Sequence, residues 1–177
     1  MRIRFRDLNP RVSAAVAAAF ADVPALDVQC ADILAAGPAD AIVSPANSLG
    51  YMDGGIDLAY SMHFGPQLQR DLQALIANLP ERRLQIGEAI IVATGDEGIP
   101  ALIAAPTMET PGPVPNTINA FLAFRATLRA IAYAGFGTVL CPGLATLTGR
   151  MLPDVSASQM RAAWNAFNDE QRAIVRH

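Results

Sequence analysis

The stretch "IVSPANSLGYMDGGIDLAY", residues 42–60, places one amide, two carboxylates and two glycines within eleven positions: Asn47, Asp53, Gly54, Gly55 and Asp57. Adjacent glycines let the backbone approach a ligand closely. The helical pattern that begins at Ile56 would leave N–H groups unpaired at its positive end, which suits a phosphate without Lys or Arg. The spacing indicates an anion site, although a tight turn alone would also explain a glycine pair.

Three polar side chains around this pair each allow two interpretations. Asn47 could exchange hydrogen bonds with a sugar hydroxyl, or it could close an Asx-turn. Asp57 could orient a water or contact a ribose, or it could simply meet the helix dipole. Asp32, after "QCA", could accept from an exocyclic amine such as that of adenine, or it could cap the following segment.

A second stretch, "CPGLATLTGRM" at residues 141–151, repeats the order of strand, small-residue turn and helix. Two backbone cradles that face one cleft would suit a diphosphate. The strands are not followed by G-x-G-x-x-G, and the chain has no Walker GxxxxGK[ST]. Neither of these nucleotide fingerprints therefore applies.

Composition predicts one globular domain over residues 1–177. Hydrophobic residues make up 52% of the 177 residues and charged residues only 16%, and no linker or repeat divides the chain. The net charge of -3 argues against a duplex nucleic-acid partner, which would require clustered Lys and Arg.

The two cysteines, Cys30 and Cys141, belong to no CxxC or Cys/His cluster. We therefore expect no zinc site and predict that both are buried free thiols. The N-terminus lacks a signal-peptide core, and the alanine-rich stretch after residue 12 is too short to cross a bilayer. These features predict a cytoplasmic protein without a membrane partner.

Strand-like and helix-like segments alternate along the chain. Strands are predicted at 3–5, 26–30, 40–45, 88–94, 101–107 and 138–142, and helices at 10–23, 56–64, 66–79, 115–134 and 153–167. The turn-rich "GDEGIP" suggests a hairpin between the fourth and fifth strands. Helices interleaved with apolar strands imply an α/β fold of three layers, with a largely parallel sheet. In such sheets ligands bind beyond the carboxyl ends of the strands.

Four pieces in this order, "CADIL", "DAIVSPANS", "MDGGIDLAY" and "CPGLATLTGRM", resemble the macrodomain family of ADP-ribose-binding modules. The resemblance runs from about residue 27 to 167. It implies a three-layer α/β/α sandwich with a mixed, roughly six-stranded central sheet. It also implies a cleft for ADP-ribose or an ADP-ribosylated macromolecule, without a metal or another cofactor.

The resemblance also implies roles for individual residues. Asn47 would face the distal ribose, and Asp57 matches the aspartate that positions the attacking water in the hydrolytic branch of the family. The remaining ligand contacts implied are Asp32 and Ile33 at the adenine, Gly54, Gly55 and Ile56 at the diphosphate, and Ala145, Thr146, Leu147, Thr148, Gly149 and Arg150 in the second phosphate loop.

The chain departs from the family's pattern in both loops. Met52 and Asp53 precede the glycine pair where family members usually have glycines, and Asp53 would repel a diphosphate unless it faced solvent. Ala145, Leu147 and Arg150 also replace glycines. Leu147 disfavours positive φ and would obstruct the approach of a ligand, whereas Arg150 could pair with a phosphate or fill the site.

Three functional hypotheses follow from these observations. The first is a binding module for ADP-ribose that also hydrolyses ADP-ribosyl groups by substrate-assisted attack of water. The second is a degenerate macrodomain that acts as a non-catalytic interaction module. The third is a cleft for another nucleotide or for an RNA phosphate end.

Overall fold

Six strands form one mixed sheet, and helices pack against it within residues 1–175, the part of the chain that this computed structural model describes. The strands are β1 (Arg2–Arg6), β2 (Leu26–Gln29), β3 (Ala41–Ser44), β4 (Ile90–Ala93), β5 (Ala101–Ala104) and β6 (Thr138–Cys141). The helices are α1 (Pro10–Ala19), α2 (Gly55–Phe64), α3 (Gln67–Ala77), α4 (Asn119–Ala134) and α5 (Pro153–Val175).

The strand order across the sheet is β2-β1-β6-β3-β5-β4. All neighbouring pairs are parallel except β4 and β5, which form the predicted antiparallel hairpin. The carboxyl ends of β1, β2, β3, β5 and β6 therefore lie at the same edge of the sheet.

Side chains that alternate along each strand supply two hydrophobic cores. Val43 packs in a core with α1, α4 and α5, whereas its neighbour Ile42 packs in a core with α2 and α3. This alternation follows from the two-residue period of a strand. The two cores give an α/β/α sandwich, so the predicted fold class and the mixed six-stranded sheet are confirmed.

The predicted elements all form, but several of their bounds differ. Helix α4 begins at Asn119 and not at residue 115, because the preceding residues close a turn in which the Thr117 hydroxyl donates to the Val114 carbonyl at 2.9 Å. It ends as expected at Gly135, whose φ of 72° is left-handed. Helix α5 continues beyond residue 167, where Glu170 pairs with Arg125 of α4.

The prediction that both cysteines are buried is wrong for Cys30. Cys141 is buried on the central strand β6, but Cys30 is exposed, because β2 is an edge strand that ends one residue earlier. None of the helices within residues 1–175 is long and apolar enough to cross a membrane.

Candidate functional site

A cleft of about 460 Å³ opens at the carboxyl ends of the parallel strands. Its size is in the range of ligand pockets, roughly 300–1,000 Å³. The chain contributes lining residues at or beyond the ends of five strands: within 6–9 at β1, 31–33 at β2, 45–59 at β3, 107–111 at β5 and 142–149 at β6. The site is therefore built from segments that are far apart in the sequence.

The first loop, residues 52–57, leads from β3 into α2. Gly54 is extended, with φ of −151°, and Gly55 has φ of 58°, a left-handed conformation that favours glycine. The first N–H of α2 that is paired within the chain belongs to Leu58, which donates to the Gly54 carbonyl. The N–H groups of residues 53–57 donate to no other group of the described chain.

The second loop, residues 142–150, follows β6. Its left-handed positions are Ala145, with φ of 60°, and Arg150, with φ of 52°. The Gly143 N–H donates to Asp7 Oδ2 at 3.0 Å, and the Arg150 N–H donates to the Leu147 carbonyl. Within residues 1–175, the N–H groups of residues 145–149 have no such partner.

The two loops touch across the cleft. A Cβ placed on Gly55 would lie 3.5 Å from Leu147 Cδ2 and 3.6 Å from Thr148 Oγ1. The residues that carry the two sets of unpaired N–H groups thus line a common space, which no side chain of residues 1–175 fills. This arrangement can hold an anion through main-chain donors alone.

Leu147 does not have a positive φ, and the residue is 71% exposed. Its side chain still lines the cleft, with Cδ2 beside Gly55, so its obstruction of an approaching ligand stays a prediction. Arg150 is also exposed, but it is absent from the lining of the cleft. Arg150 therefore does not fill the site, and its pairing with a bound phosphate stays a prediction.

Asn47 lines the cleft and at the same time closes a turn. Its Oδ1 accepts from the N–H groups of Leu49 and Tyr51, and its Nδ2 donates to the Tyr51 carbonyl at 2.9 Å. One amide hydrogen of Nδ2 remains for a ligand. The Asx-turn interpretation is therefore correct, and it leaves a sugar contact open.

Asp57 lies in the first turn of α2 and is only 8% exposed. Its Oδ1 accepts a hydrogen bond of 2.5 Å from Ser44 Oγ at the end of β3. Burial raises the pKa of Asp57 to about 7, and the Ser44 hydrogen bond lowers it. The other oxygen, Oδ2, has no hydrogen-bond partner in the described chain. Every fully buried side-chain oxygen there does have one, so Oδ2 is not fully buried and reaches the cleft that Asp57 lines.

Asp32 and Ile33 line the cleft beyond β2. The Asp32 Oδ1 accepts from the Leu34 N–H at 2.9 Å, as expected of a capping carboxylate, while the residue is exposed. Ile33 is buried in the core below. The structure thus brings both residues to the same cleft as the two loops, at the side of β2.

The sequence reasoning missed the segment after β1. Asp7 lines the cleft, and its carboxylate accepts from Asn9 N–H at 2.8 Å and from Gly143 N–H in the second loop. Arg6 also lines the cleft, with its guanidinium bound to the Asp27 carboxylate at 2.8 Å. The rule that ligands bind beyond strand ends applies to β1 as well, and could have identified these residues.

The charges of the lining are mostly negative. Its carboxylates are Asp7, Asp32, Asp53 and Asp57. Among the described lining residues Arg6 is the only Lys or Arg, and its ion pair lowers the pKa of Asp27. Within residues 1–175 no group of three or more His, Cys, Asp or Glu could hold a metal ion. A bound anion would therefore depend on uncharged donors, chiefly the unpaired main-chain N–H groups.

Comparison with known proteins agrees with this geometry. A family model for the Macro domain matches residues 43–160, which is more than half of the chain. The protein therefore belongs to the macrodomain family. An uncharacterised protein of Aeropyrum pernix is 33% identical over 136 residues, which cover 73% of this chain and 69% of the relative.

Two solved structures show the same fold. The macrodomain of Mycobacterium tuberculosis DarG is 22% identical, with a TM-score of 0.65 over 77% of this chain and 87% of that one. A mutant of the Oceanobacillus iheyensis macrodomain with ADPR (ADP-ribose) is 15% identical, with a TM-score of 0.58 over 78% of this chain and 88% of the other.

Proposed function

We propose that this protein binds ADP-ribose, free or as an ADP-ribosyl group on a modified macromolecule, in the cleft between the two loops. The observation that carries the proposal is the convergence of two sets of free main-chain N–H groups, at residues 53–57 and 145–149, on one space. A diphosphate offers oxygen acceptors to both sets, and helix α2 points its positive end at the same place.

The ends of the cleft suit the other parts of this ligand. Asp32 retains carboxylate acceptor capacity beyond its bond to the Leu34 N–H, so it can accept from an adenine amine. The remaining amide hydrogen of Asn47 can donate to a hydroxyl of the distal ribose. The macrodomain structure with ADPR supports this choice of ligand, because it shares the fold.

Hydrolysis of an ADP-ribosyl group is the second proposed activity, and it depends on Asp57. With Oδ1 held by Ser44, Oδ2 is free to accept a hydrogen bond from a water in the cleft. The oxygen of that water would bond to the anomeric carbon, and the bond from that carbon to the acceptor would break. The acceptor keeps the electron pair of the broken bond and takes up the proton that the water loses, which passes to it by way of a diphosphate oxygen or of ionised Asp57.

Isothermal titration with ADP-ribose tests the binding proposal, with Gly54→Val as the decisive variant. Gly54 has an extended backbone and no atom within 4 Å of an added Cβ, so the valine fits the fold but occupies the space beside the free N–H groups. We expect loss of affinity by about 100-fold, the equivalent of two or three lost hydrogen bonds of ~1 kcal/mol each.

Gly112→Val is the matched control. Gly112 lies outside the lining, has no positive φ, and leaves an added Cβ 3.9 Å from the nearest atom. The Gly112→Val variant should bind like the native protein.

Equal binding by native protein and Gly54→Val would place the ligand elsewhere. No heat from the native protein at high micromolar ADP-ribose would favour the non-catalytic interaction module. Tighter binding of another nucleotide would favour the third hypothesis.

A further inference from the structure

Ser44 is a buried hydroxyl at the end of the central strand β3, with 0% of its surface exposed. Its Oγ donates to Asp57 Oδ1 and so connects the last residue of the strand to the first turn of α2, thirteen residues later. A buried hydroxyl or carboxylate without a partner costs free energy, and both Ser44 and Asp57 are buried. Both groups therefore favour keeping this hydrogen bond. None of the motifs that suggested the site assigns a role to this serine.

The hydrogen bond determines which way the Asp57 carboxylate faces. Ser44 is the only side chain or main-chain donor that binds it within the described chain. Because Ser44 lies at the strand end, Oδ1 is held towards the sheet and Oδ2 towards the cleft. Without Ser44, either oxygen could turn towards the ligand.

Within residues 1–175, burial and the Ser44 hydrogen bond are the causes that shift the pKa of Asp57, and no cation is among them. Tyr60 of α2 has a raised pKa, caused first by burial and then by Asp57, Cys141 of β6, Asp7 beyond β1 and Asp32 beyond β2. The guanidinium of Arg6 on β1 is occupied by Asp27. Ser44 is therefore the group that opposes the effect of burial on Asp57.

We propose that Ser44 is a positioning residue of the cleft, which orients Asp57 and stabilises its ionised form. Asp57 thereby sets the pH range over which the anionic ligand binds. Ionised Asp57 repels a diphosphate and protonated Asp57 does not, so binding takes up a proton near neutral pH. This part of the inference rests on the proposed function, whereas the effect of Ser44 on Asp57 does not.

The titration of Asp57 tests the inference without any ligand. The carboxyl carbon of Asp57 can be followed by NMR in ¹³C-labelled protein, with Asp57→Asn identifying its signal. We expect the midpoint of the native protein near pH 7, because burial raises the pKa of Asp57 to about 7. We expect Ser44→Ala to move it to higher pH, because the hydrogen bond that favours the ionised carboxylate is lost. An unchanged midpoint overturns the proposal.

The pH dependence of ADP-ribose affinity supplies a second test. The native affinity should fall as pH rises through about 7, and in Ser44→Ala this fall should occur at higher pH. At a pH between the two midpoints the variant should then bind severalfold more tightly than the native protein. A merely structural role for Ser44 predicts weaker binding of the variant at every pH, which would contradict the proposal.

Thr127→Val is the matched control, since it removes another fully buried hydroxyl, on α4, that donates to the Ala123 carbonyl away from the cleft. Its pH profile should match that of the native protein. If the native protein fails to bind ADP-ribose at any pH, the proposed function is wrong, and the NMR midpoints alone decide the role of Ser44.

Discussion

The two loops of the cleft reach the same result by different physical means. The first loop places glycine at its left-handed position, Gly55, and places two carboxylates, Asp53 and Asp57, beside its donors. The second loop lines the cleft with no carboxylate of its own, but its left-handed positions are Ala145 and Arg150. The first loop thus has an unstrained backbone but places negative charge beside a bound anion. The second loop adds no negative charge but has a strained backbone.

Anchoring explains how the second loop keeps its strained backbone. Asp7 accepts from the Gly143 N–H, and the buried Ser156 hydroxyl of α5 donates to the Leu144 carbonyl at 2.7 Å. The Gly149 carbonyl accepts from the Val114 N–H. Strained conformations persist where the surroundings over-determine them. Contacts from three other segments hold this loop. The first loop is held at its two ends, where the Met52 N–H donates to Gln69 of α3 and Asp57 accepts from Ser44 of β3.

The largest expected effect is on the free energy of unfolding, which the buried carboxylate of Asp57 in the first loop lowers when it is ionised. The pKa of Asp57 is raised from 3.8 to about 7, so the native state keeps a proton that the unfolded state releases between these values. The free energy of unfolding therefore falls as pH rises from about 4 to 7. At about 1.4 kcal/mol per pKa unit, Asp57→Asn should stabilise the protein by up to roughly 4 kcal/mol above pH 7, as measured by urea unfolding.

Asp154→Asn is the control for that prediction. Asp154 also lies in the first turn of a helix, α5, but it is exposed. Its substitution should cost only about 0.3–1 kcal/mol, through the helix dipole, at neutral pH. If Asp57→Asn gained no more stability at pH 8 than at pH 4, the account of the buried carboxylate would be wrong.

The second prediction concerns the left-handed positions of the two loops, where glycine is replaced in the first loop and introduced in the second. Gly55→Ala should destabilise the protein by about 1 kcal/mol, because its φ of 58° is left-handed while its Cβ meets only ordinary contacts. Arg150→Gly should stabilise it by a few tenths to about 1 kcal/mol, since glycine removes the strain but adds unfolded-state entropy.

Arg82→Gly repeats the test of backbone strain in a different part of the chain. Arg82 has φ of 50° and, like Arg150, is absent from the lining of the cleft. It should gain stability like Arg150→Gly and leave ADP-ribose affinity unchanged. Loss of stability in Arg150→Gly would show that the arginine side chain contributes more than its backbone conformation costs.

The smallest effect concerns Asp53, which is exposed. Its carboxylate, unlike those of Asp7, Asp32 and Asp57, accepts no hydrogen bond from any group of residues 1–175. Asp53→Asn should raise ADP-ribose affinity about threefold at low salt, a gain of roughly 0.6 kcal/mol that salt screens. Glu97→Gln, in the turn before β5 at the opposite edge of the sheet, removes the same charge and should change nothing. Equal effects of both variants would indicate a general charge effect.

The patterns of single segments predicted the fold well. Apolar strands that alternate with helices gave the layers, and "GDEGIP" gave the antiparallel pair. Element ends were less predictable, as at residues 115–118, where a turn precedes α4. Local hydrogen bonds of this kind depend on backbone geometry that periodicity does not describe.

The sequence by itself determined where main-chain donors could be free, because a glycine pair before a helix can adopt the left-handed backbone that other residues disfavour and adds no side chain over the unpaired N–H groups of the first turn. Tertiary structure decided the rest. It brought Asp7 to Gly143, 136 residues away, and Ser44 to Asp57, and it held Ala145 and Arg150 in conformations that their residue types disfavour. Local propensity is fixed by residue type, but burial, and with it the pKa of Asp57, exists only once distant segments have packed together.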